Sequence, residues 1–407
     1  MRILFLLTQD LESPGGLGRY FPLARWLAKG GHQVSIAALH GDYQNLARTR
    51  FEQDGVQVWY VGQMHVLKRG SGKQYYPAGR LLAVSARATW NLSRAALQSP
   101  ADIVHIGKPH PMNGTAGLLA KYLRGRTVFL DCDDYEAGTT HFTGSWQKWG
   151  VSLFENNLPK WVDHVTTHTH FVQNRMTAAG IPAECISYIP NGVDPVRFQG
   201  VDRQAAARLR DELGLAGKQV VAYIGSLSLD NHPVDLLLRA FQILRTRLPE
   251  AVLLVVGGGA DYQTLKSMAS ELSLGEAAQF CGRVAPEQVP LYYHLAEVSV
   301  EPVYDDAAGR SRLPLKLFES WILGTPFVSA DVGERGMMLG DPPAGILAQP
   351  GDPASLAEAL YAVLTDQQLA ETLRQRGLAR VQEYTWDRLA KQMEAVYHSV
   401  IVKRAGK

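Results

Sequence analysis

Residues 310–319 read Arg-Ser-Arg-Leu-Pro-Leu-Lys-Leu-Phe-Glu and follow a short apolar run that is typical of a buried strand. Proline has a fixed φ and lacks an N–H, so Pro314 suits the first turn of a helix. Beyond it, Leu315, Phe318 and Ile322 recur at helical spacing and should face a core. The stretch therefore predicts a strand followed by a helix, which is the repeating unit of an α/β sheet.

Three charged residues of this stretch fall on one face of the predicted helix, namely Arg312, Lys316 and Glu319. A helix N-terminus surrounded by cations is a ready site for a diphosphate, and a carboxylate one turn deeper could accept hydrogen bonds from a ribose diol. A solvated helix face with one Lys–Glu pair explains the same spacing. On spacing alone that second interpretation is favoured, because such pairs are common on helices.

Short apolar runs alternate with helical patterns along the whole chain. Continuous apolar strands between helices indicate parallel sheets that are covered on both faces. Two complete series of this kind predict an α/β protein with two doubly wound, Rossmann-like domains whose sheets face each other across a cleft. The predicted strands are Ile3–Leu7, Val34–Leu39, Val56–Val61, Asp102–Ile106, Thr127–Leu130, His164–Thr167, Cys185–Ile189, Val220–Ile224, Val252–Val256, Gln279–Cys281, Val298–Pro302 and Pro326–Ser329.

The first series ends at the sequence Pro-Asn-Gly-Val-Asp-Pro, within residues 190–200. We therefore predict an N-terminal domain over residues 1–198 and a C-terminal domain over residues 199–385. The last segment, 386–407, carries apolar residues at helical spacing. It is expected either to cap the second domain or to cross back to the first.

The bulk composition fits an ordinary globular protein and excludes several classes. With 407 residues the chain is long enough for two domains, and its net charge of +2 gives no argument for nucleic acid. Three distant cysteines favour neither a disulfide framework nor a zinc site. The apolar N-terminal run is too short for a signal peptide, and no run is long enough for a membrane span. We expect a cytoplasmic protein, at most peripheral to the inner face of the membrane.

Two glycine-rich loops follow predicted strands and precede helical patterns. The first contains Gly16 and Gly18, and the second contains Gly258. Such loops let backbone N–H groups approach a phosphate or a sugar, which is the favoured interpretation of the first loop. A plain tight turn explains the second loop equally well. Neither loop has the Gly-x-Gly-x-x-Gly pattern of a dinucleotide site.

Polar residues cluster after two predicted strands of the first series. Residues 131–136 hold four carboxylates, including Asp133 and Asp134, and a short segment beside another strand end holds His105 and Lys108. The carboxylates suggest a divalent metal, an acid or base, or a contact to sugar hydroxyls, whereas a charged loop with a helix N-cap is the structural alternative. For His105, a hydrogen-bonded strand-end histidine is as good an interpretation as a ligand.

Residues 68–94 form a basic segment with interleaved aromatic and leucine side chains. This pattern could contact an anionic membrane surface. A solvated helix and loop is the favoured alternative.

Taken in order along nearly the whole chain, seven segments resemble the GT-B glycosyltransferases of family 4, also called glycosyl transferases group 1. The motif Pro-Leu-Lys-Leu-Phe-Glu resembles one branch of that family. The resembling segments are Gly15–Tyr20, Asp102–His105, Pro190–Asp194, Tyr223–Leu227, Val255–Gly259, Phe280–Val284 and Pro314–Pro326. Each segment alone is weak evidence, whereas their order and spacing together are specific.

The resemblance has three departures from the family pattern. The first carboxylate of the family's two-glutamate motif falls on Ser311, and the usual diphosphate-binding cations fall on Ser226 and Asn231. Arg310, Arg312 and Lys316 are the expected substitutes for those cations. The family's histidine in the N-terminal domain falls on Asp133, which can accept but, when ionised, cannot donate a hydrogen bond.

The resemblance implies a retaining enzyme that moves a sugar from a nucleotide-diphosphate donor to a hydroxyl of a glycan, lipid-linked or small-molecule acceptor, with no metal and no cofactor. Non-catalytic nucleotide-sugar binding is the alternative, and a Rossmann-type oxidoreductase is a weaker one. The implied catalytic residues are Asp133, Arg310, Lys316 and Glu319. The implied nucleotide-sugar-binding residues are Gly16, Gly18, Gly225, Ser226, Asn231, Gly258, Arg283, Val284, Arg312, Pro314, Leu315 and Glu319. The implied acceptor-orienting residues are His105, Lys108 and Asp134.

Overall fold

A computed structural model describes residues 1–69, 72–133, 135–136 and 144–406. The chain forms two compact units, one of Met1–Gly192 with Trp386–Lys407 and one of Val193–Thr385. The second unit begins at Val193, whereas the predicted boundary followed residue 198, and the Val193 N–H donates to the Tyr384 carbonyl (2.9 Å) at the other end of the same unit.

The described residues form sixteen strands, of which twelve lie close to the predicted runs and four were not predicted. The sixteen strands are β1 (Arg2–Leu7), β2 (Gln33–His40), β3 (Arg50–Gln53), β4 (Val56–Gln63), β5 (Val66–Arg69), β6 (Gly72–Tyr75), β7 (Ile103–Gly107), β8 (Thr127–Cys132), β9 (His164–Thr167), β10 (Ile186–Tyr188), β11 (Gln219–Ile224), β12 (Ala251–Val256), β13 (Ala278–Gly282), β14 (Val298–Val300), β15 (Phe327–Ala330) and β16 (Ile346–Ala348).

The helices separate these strands along both units. They are α1 (Phe21–Lys29), α2 (Ala78–Gln98), α3 (Pro111–Arg124), α4 (Ser145–Trp161), α5 (His170–Ala178), α6 (Pro195–Phe198), α7 (Arg203–Glu212), α8 (Val234–Arg247), α9 (Tyr262–Glu271), α10 (Val289–Leu295), α11 (Ala307–Arg310), α12 (Leu315–Ile322), α13 (Arg335–Leu339), α14 (Pro353–Thr365), α15 (Gln367–Arg380) and α16 (Trp386–Ala405).

The sheet of the first unit has the strand order β10-β9-β8-β7-β1-β2-β4-β3 in the described part of the chain. Its pairs are parallel except β3–β4, which is antiparallel at the edge. Helices α2, α3, α4 and α5 share a core with one face, while α1 and α16 share a core with the other. Coverage on both faces explains why the central strands are continuously apolar.

The C-terminal helix α16 belongs to the first unit. Its Trp386 and Tyr397 are fully buried against the first sheet, and the Trp386 indole N–H donates to the Gly18 carbonyl (2.8 Å). Helix α16 therefore packs on the first unit, which is one of the two predicted placements.

The sheet of the second unit has the strand order β13-β12-β11-β14-β15-β16, and all its pairs are parallel. Helices α8, α9 and α14 pack on one face, and α7 and α10 pack on the other. Both units are therefore doubly wound α/β folds, as predicted. In the second unit, β11 and β12 are neighbours, so their carboxyl ends lie side by side. Ligands of such sheets usually bind at these ends.

Helix α12 differs from its prediction in two details. Pro314 is the N-cap rather than the first helical residue, since its ψ of 130° is extended. The buried positions are Lys316, Leu317, Phe318, Ser320 and Trp321, whereas Leu315 and Ile322 are only half-buried. The helix is buried on most of its circumference, and its lysine is enclosed with the apolar residues.

Within the described ranges, no helix combines the length and the apolar character that crossing a lipid bilayer requires.

Candidate functional site

Two loops meet at the carboxyl ends of β11 and β12 in the second unit. The Gly225 N–H donates to Val256 (2.9 Å), and the Leu227 N–H donates to the Gly258 carbonyl (3.1 Å). A Cβ on Gly257 would lie 1.8 Å from the Gly225 oxygen, and its φ of +139° suits only glycine. The loops therefore cross backbone against backbone, and the Gly258 carbonyl belongs to this scaffold.

Lys316 faces the crossing loops from the first turn of α12. Its ammonium lies 4.0 Å from the centroid of the Tyr223 ring, and a Cβ on Gly225 would come within 3.0 Å of its nitrogen. The side chain is 8% exposed, and its Nζ has no hydrogen-bond partner among the described residues. Lys316 thus presents unused donors to the glycine loop.

Burial lowers the pKa of Lys316 from 10.5 to about 8, although the carboxylates of Glu301 and Glu319 oppose that effect. The amide groups that open α12 add to this positive environment, since Pro314 provides no side-chain cap for them. A cation without a hydrogen-bond partner beside a helix N-terminus is suited to an anionic ligand.

The Glu319 carboxylate lies one turn further along α12 and is held by two residues that sequence reasoning missed. One oxygen accepts from the Arg197 guanidinium (3.1 Å), and the other accepts from the Tyr293 hydroxyl (3.0 Å). Burial raises the pKa of Tyr293, with the Glu319 charge adding to the effect, so the phenol stays a donor. Arg197 follows the Pro-Asn-Gly-Val-Asp segment within a few residues, and this proximity was the available signal.

The predicted arginines separate in the structure. Arg312 donates through both terminal nitrogens to the backbone carbonyl and the side-chain oxygen of Asn231. Arg310, in contrast, is half exposed and forms an ion pair with Asp305 (2.6 Å). The short helix α11, capped by Asp306, turns Arg310 outward. Arg310 therefore lies at the surface of this unit, and its role in stabilising the diphosphate stays a prediction.

A second missed feature is the buried ion pair of Glu301 and Arg335 (2.8 Å). Burial alone would raise the pKa of Glu301, but the neighbouring guanidinium outweighs it and holds that pKa below its usual value. Arg335 also donates to the carbonyls of Gly309 (3.0 Å) and Val332 (2.9 Å). The pair therefore fixes the segment that leads into α12.

The first unit holds another buried ion pair behind its glycine loop. Arg19 donates to both oxygens of Asp131 (2.6 and 2.7 Å) and to the side-chain oxygen of Asn191 (3.0 Å). A Cβ on Gly16 would lie 2.2 Å from the Asp10 oxygen, so this glycine permits a close backbone approach. Because its carbonyl accepts from the C-terminal helix, Gly18 has a structural role.

Lys108 and Asp133 lie close together at the ends of the neighbouring strands β7 and β8. The Lys108 ammonium lies 3.2 Å from Asp133 and 2.6 Å from Glu136, whose other oxygen is 3.0 Å from His110 Nε2. Burial opposes ionisation of Glu136, but Lys108 and His110 keep its pKa well below the usual range. Asp134 lies outside the described residues.

His105 is a core residue, which corrects its predicted role at the acceptor. Its Nδ1 is 2.7 Å from the Tyr397 hydroxyl, and its ring is stacked parallel to Phe129. Burial lowers its pKa to about 4, so the ring is neutral near pH 7. The residue lies on the face of β7 that α16 covers, which its position near a strand end does not reveal.

Two family models match the chain. One, described as glycosyl transferases group 1, matches residues 206–380, and the other, a glycosyl transferase 4-like domain, matches residues 15–192. The chain belongs to the glycosyl transferases group 1 family.

Curated relatives of this family-4 chain have names that specify sugar transfer. A GDP-mannose-dependent alpha-(1-6)-phosphatidylinositol monomannoside mannosyltransferase of Mycolicibacterium smegmatis is 30% identical over 53% of this chain and 56% of its own length. A D-inositol 3-phosphate glycosyltransferase of Nocardia farcinica is 31% identical over 54% of this chain and 49% of its own length. The chain therefore spans about half the length of the curated relatives it matches.

Solved structures share the fold over nearly the whole chain. Sucrose-phosphate synthase of Thermosynechococcus elongatus matches with a TM-score of 0.76 and 19% identity, covering 99% of both chains. Anabaena Alr3699/HepE in complex with UDP-glucose matches with a TM-score of 0.74 and 19% identity, covering 98% of this chain and 100% of that one. The family-4 chain has the GT-B fold.

Three further residues of the predicted nucleotide-sugar site lie just beyond the ends of β11 and β13. The Ser226 carbonyl accepts from the Tyr223 hydroxyl (2.8 Å) at the crossing loops. Arg283 is exposed and Val284 half-buried, just beyond the end of β13. In the described portion, no group of three His, Cys, Asp or Glu side chains could hold a metal ion, and metal independence stays a prediction.

Proposed function

We propose that the protein is a retaining glycosyltransferase that moves a sugar from a nucleotide-diphosphate sugar to an acceptor hydroxyl. The observation that carries this proposal is the buried Lys316 ammonium, which has no hydrogen-bond partner among the described residues and lies against Gly225. Family membership supports it, as do relatives named as GDP-mannose-dependent and a fold neighbour named in complex with UDP-glucose.

The diphosphate of the donor would bind at the start of α12. Lys316 and the first amide groups of that helix would donate to the phosphate oxygens, and Arg312 would add a positive charge beside Asn231. Negative charge on the diphosphate grows as the bond to the sugar breaks, so fixed donors stabilise the transition state more than the bound donor. A buried cation does this more strongly than an exposed one.

Glu319 would accept the ribose hydroxyls of the donor. Arg197 and Tyr293 already direct both of its oxygens, so the carboxylate is ordered before the ribose arrives. A carboxylate can accept from several donors at once, and the ribose diol would add to these two contacts. An exposed, rotating carboxylate would first lose conformational entropy on binding.

For the chemical step we infer attack by the acceptor hydroxyl on the face that the leaving phosphate departs from, with that phosphate as the base. This mechanism conserves the anomeric configuration and requires no protein nucleophile. Asp133 and Lys108 of the first unit are the groups proposed to orient the acceptor, which is a glycan, a lipid-linked sugar or a small molecule. The configuration of the product, read by NMR, tests retention directly.

The substitution Glu319→Ala tests the donor site. Two hydrogen bonds to a carboxylate contribute about 3 kcal/mol or more together, so we expect at least a roughly 100-fold loss of nucleotide-sugar affinity by calorimetry. Glu271→Ala is a matched control, because Glu271 is exposed on α9 of the same unit. Unchanged affinity in a folded Glu319→Ala protein would reject the assignment.

Incubation with a panel of UDP-, GDP-, ADP- and dTDP-sugars distinguishes an enzyme from a non-catalytic binding protein. Release of nucleoside diphosphate, by hydrolysis or by transfer, would reject the binding-only alternative. Tight donor binding without any release, across a range of acceptors, would favour that alternative over catalysis.

A further inference from the structure

Three neighbouring helices of the first unit, α2, α3 and α4, cover one face of its sheet. Leu92 of α2, Ala116 of α3 and Leu158 of α4 are fully buried in the same core. The opposite sides of these helices form an outer surface, which we call the three-helix surface.

The three-helix surface carries an unusual share of exposed apolar side chains. It holds eight of the fourteen large hydrophobic side chains that are exposed among the described residues. Trp149 is 68% exposed and Trp90 is 71% exposed, so most of each residue lies in solvent. The eight are Leu82, Trp90, Tyr122, Leu123, Trp146, Trp149, Leu153 and Trp161. Patches of this kind on a soluble protein mark interaction sites.

These side chains follow helical spacing. On α4, the exposed Trp146, Trp149, Leu153 and Lys160 recur three, four and seven residues apart and form one stripe. On α2, three exposed arginines recur every seven residues, and Trp90 projects between the last two of them. The stripes show that apolar and basic groups project from the same sides of the helices.

The exposed charged side chains of α2, α3 and α4 are all positive, while the half-buried Lys121 is paired with Asp163 just beyond α4 (3.0 Å). Helices α2 and α3 contain no Asp or Glu, and the single acid of α4, Glu155, is buried and accepts the Glu136 N–H (2.9 Å). The same helices carry seven basic residues: Arg80, Arg87, Arg94, Lys121, Arg124, Lys148 and Lys160. A surface of one sign would repel a second copy of itself across a two-fold axis, which disfavours a homodimer.

We propose that the three-helix surface docks on an anionic lipid bilayer. Tryptophan and tyrosine rings are most stable at the interface of a bilayer, where their apolar bodies enter the headgroup region and their polar atoms stay hydrated. Arginine and lysine are attracted by the negative potential of anionic headgroups. The surface presents both groups together on a rigid layer of helices. This inference extends the basic segment 68–94 of the sequence to α3 and α4.

Vesicle sedimentation tests the proposal with the full chain and without any sugar donor. Vesicles of neutral phosphatidylcholine are compared with vesicles that also contain phosphatidylglycerol. We expect binding to the anionic vesicles that falls as NaCl is raised to 1 M. Arg87→Gln with Arg94→Gln should lower the partition coefficient by about 25-fold, at about fivefold per arginine. Trp149→Gln should weaken binding to both kinds of vesicle.

The matched controls lie on α16, which packs on the opposite face of the same sheet. Arg388→Gln with Lys391→Gln removes two exposed charges there, and Val402→Gln removes an apolar side chain that is 70% exposed. These variants should bind like wild type. The proposal would be overturned if the α16 variants lost as much vesicle binding as the variants of the three-helix surface. It would also be overturned if the wild type showed no preference for anionic vesicles.

Sedimentation velocity without lipid provides a separate check. If the wild type is a dimer and the Trp149→Gln variant is a monomer, the three-helix surface binds a second copy of the chain instead of a bilayer. Because no assay here contains a sugar donor, failure of the bilayer proposal leaves the donor-site experiments unaffected.

Discussion

Replacing Lys316 by methionine should stabilise the protein while weakening its binding of a nucleoside diphosphate. The difference between a pKa of 10.5 and one of about 8 corresponds to about 3 kcal/mol of unfavourable free energy for the buried ammonium. Repacking of the new side chain against the Tyr223 ring should cost up to about 1 kcal/mol. Methionine fills a similar volume without a charge, so the free energy of unfolding at pH 7 should rise by about 2 kcal/mol.

The stability gain has a defined pH dependence. Below about pH 8 the folded wild type holds Lys316 charged, and the cost is present in full. As the pH rises through about 8 toward 10.5, the folded protein releases this proton while the unfolded chain retains it, so the wild type becomes relatively more stable. The advantage of Lys316→Met should therefore shrink steadily over that range and vanish above it.

Urea denaturation at pH 7 and pH 10 measures the stability, and calorimetry with UDP and GDP measures the affinity. Losing a charge-assisted hydrogen bond to phosphate should cost about 1.5–3 kcal/mol, or roughly 10- to 100-fold in affinity. Lys266→Met, an exposed change on α9, should alter neither quantity. The reasoning is refuted if Lys316→Met is less stable than wild type at pH 7, or if it binds the diphosphates equally well.

Three further variants test separate parts of the structure. Arg310→Ala should leave turnover within about twofold in steady-state kinetics, because its guanidinium is half exposed and paired with Asp305; a much slower enzyme would place it at the diphosphate. Gly257→Ala should cost several kcal/mol in urea denaturation, since its Cβ would overlap a carbonyl at 1.8 Å; wild-type stability would show that the loops can separate. Asp131→Asn should lower the unfolding free energy by about 3–5 kcal/mol by leaving Arg19 buried without its charge partner, and a loss under 1 kcal/mol would contradict this.

Most of the fold was predictable from apolar periodicity. Strands buried on both faces read as continuous apolar runs, so the central strands of both sheets were found close to their observed bounds. The edge strands β3 and β16 were missed because a short or exposed edge has no such run. The domain boundary was misplaced by a few residues because α6 follows the boundary segment without an interruption in the sequence pattern.

The site was predictable only where neighbours in sequence are neighbours in space. Lys316 and Glu319 lie on one helix, and helical spacing places them together. The Arg197–Glu319 contact joins residues 122 positions apart, so no local pattern could find it. The role of His105 was hard to predict for a related reason. Strand periodicity assigns side chains to alternate faces of a sheet but does not show which face a helix distant in sequence covers.

The missing cations of the family pattern have a spatial explanation. The loop after β11 has Ser226 and Asn231 where the wider family usually has an arginine and a lysine. In the structure, Lys316 reaches the same loop at Gly225, and Arg312 reaches it at Asn231. Both cations come from residues at and before the start of α12, so positive charge lies beside this loop although its own residues are neutral. A lysine enclosed in the first turn of a helix has fewer conformations to lose on binding than a lysine on a flexible loop, at the cost of a lowered pKa. If the leaving diphosphate lies beside Lys316, the donor site must work at a pH where Lys316 is still protonated. A bound diphosphate would help to meet this requirement, because its negative charge raises the pKa of the neighbouring ammonium.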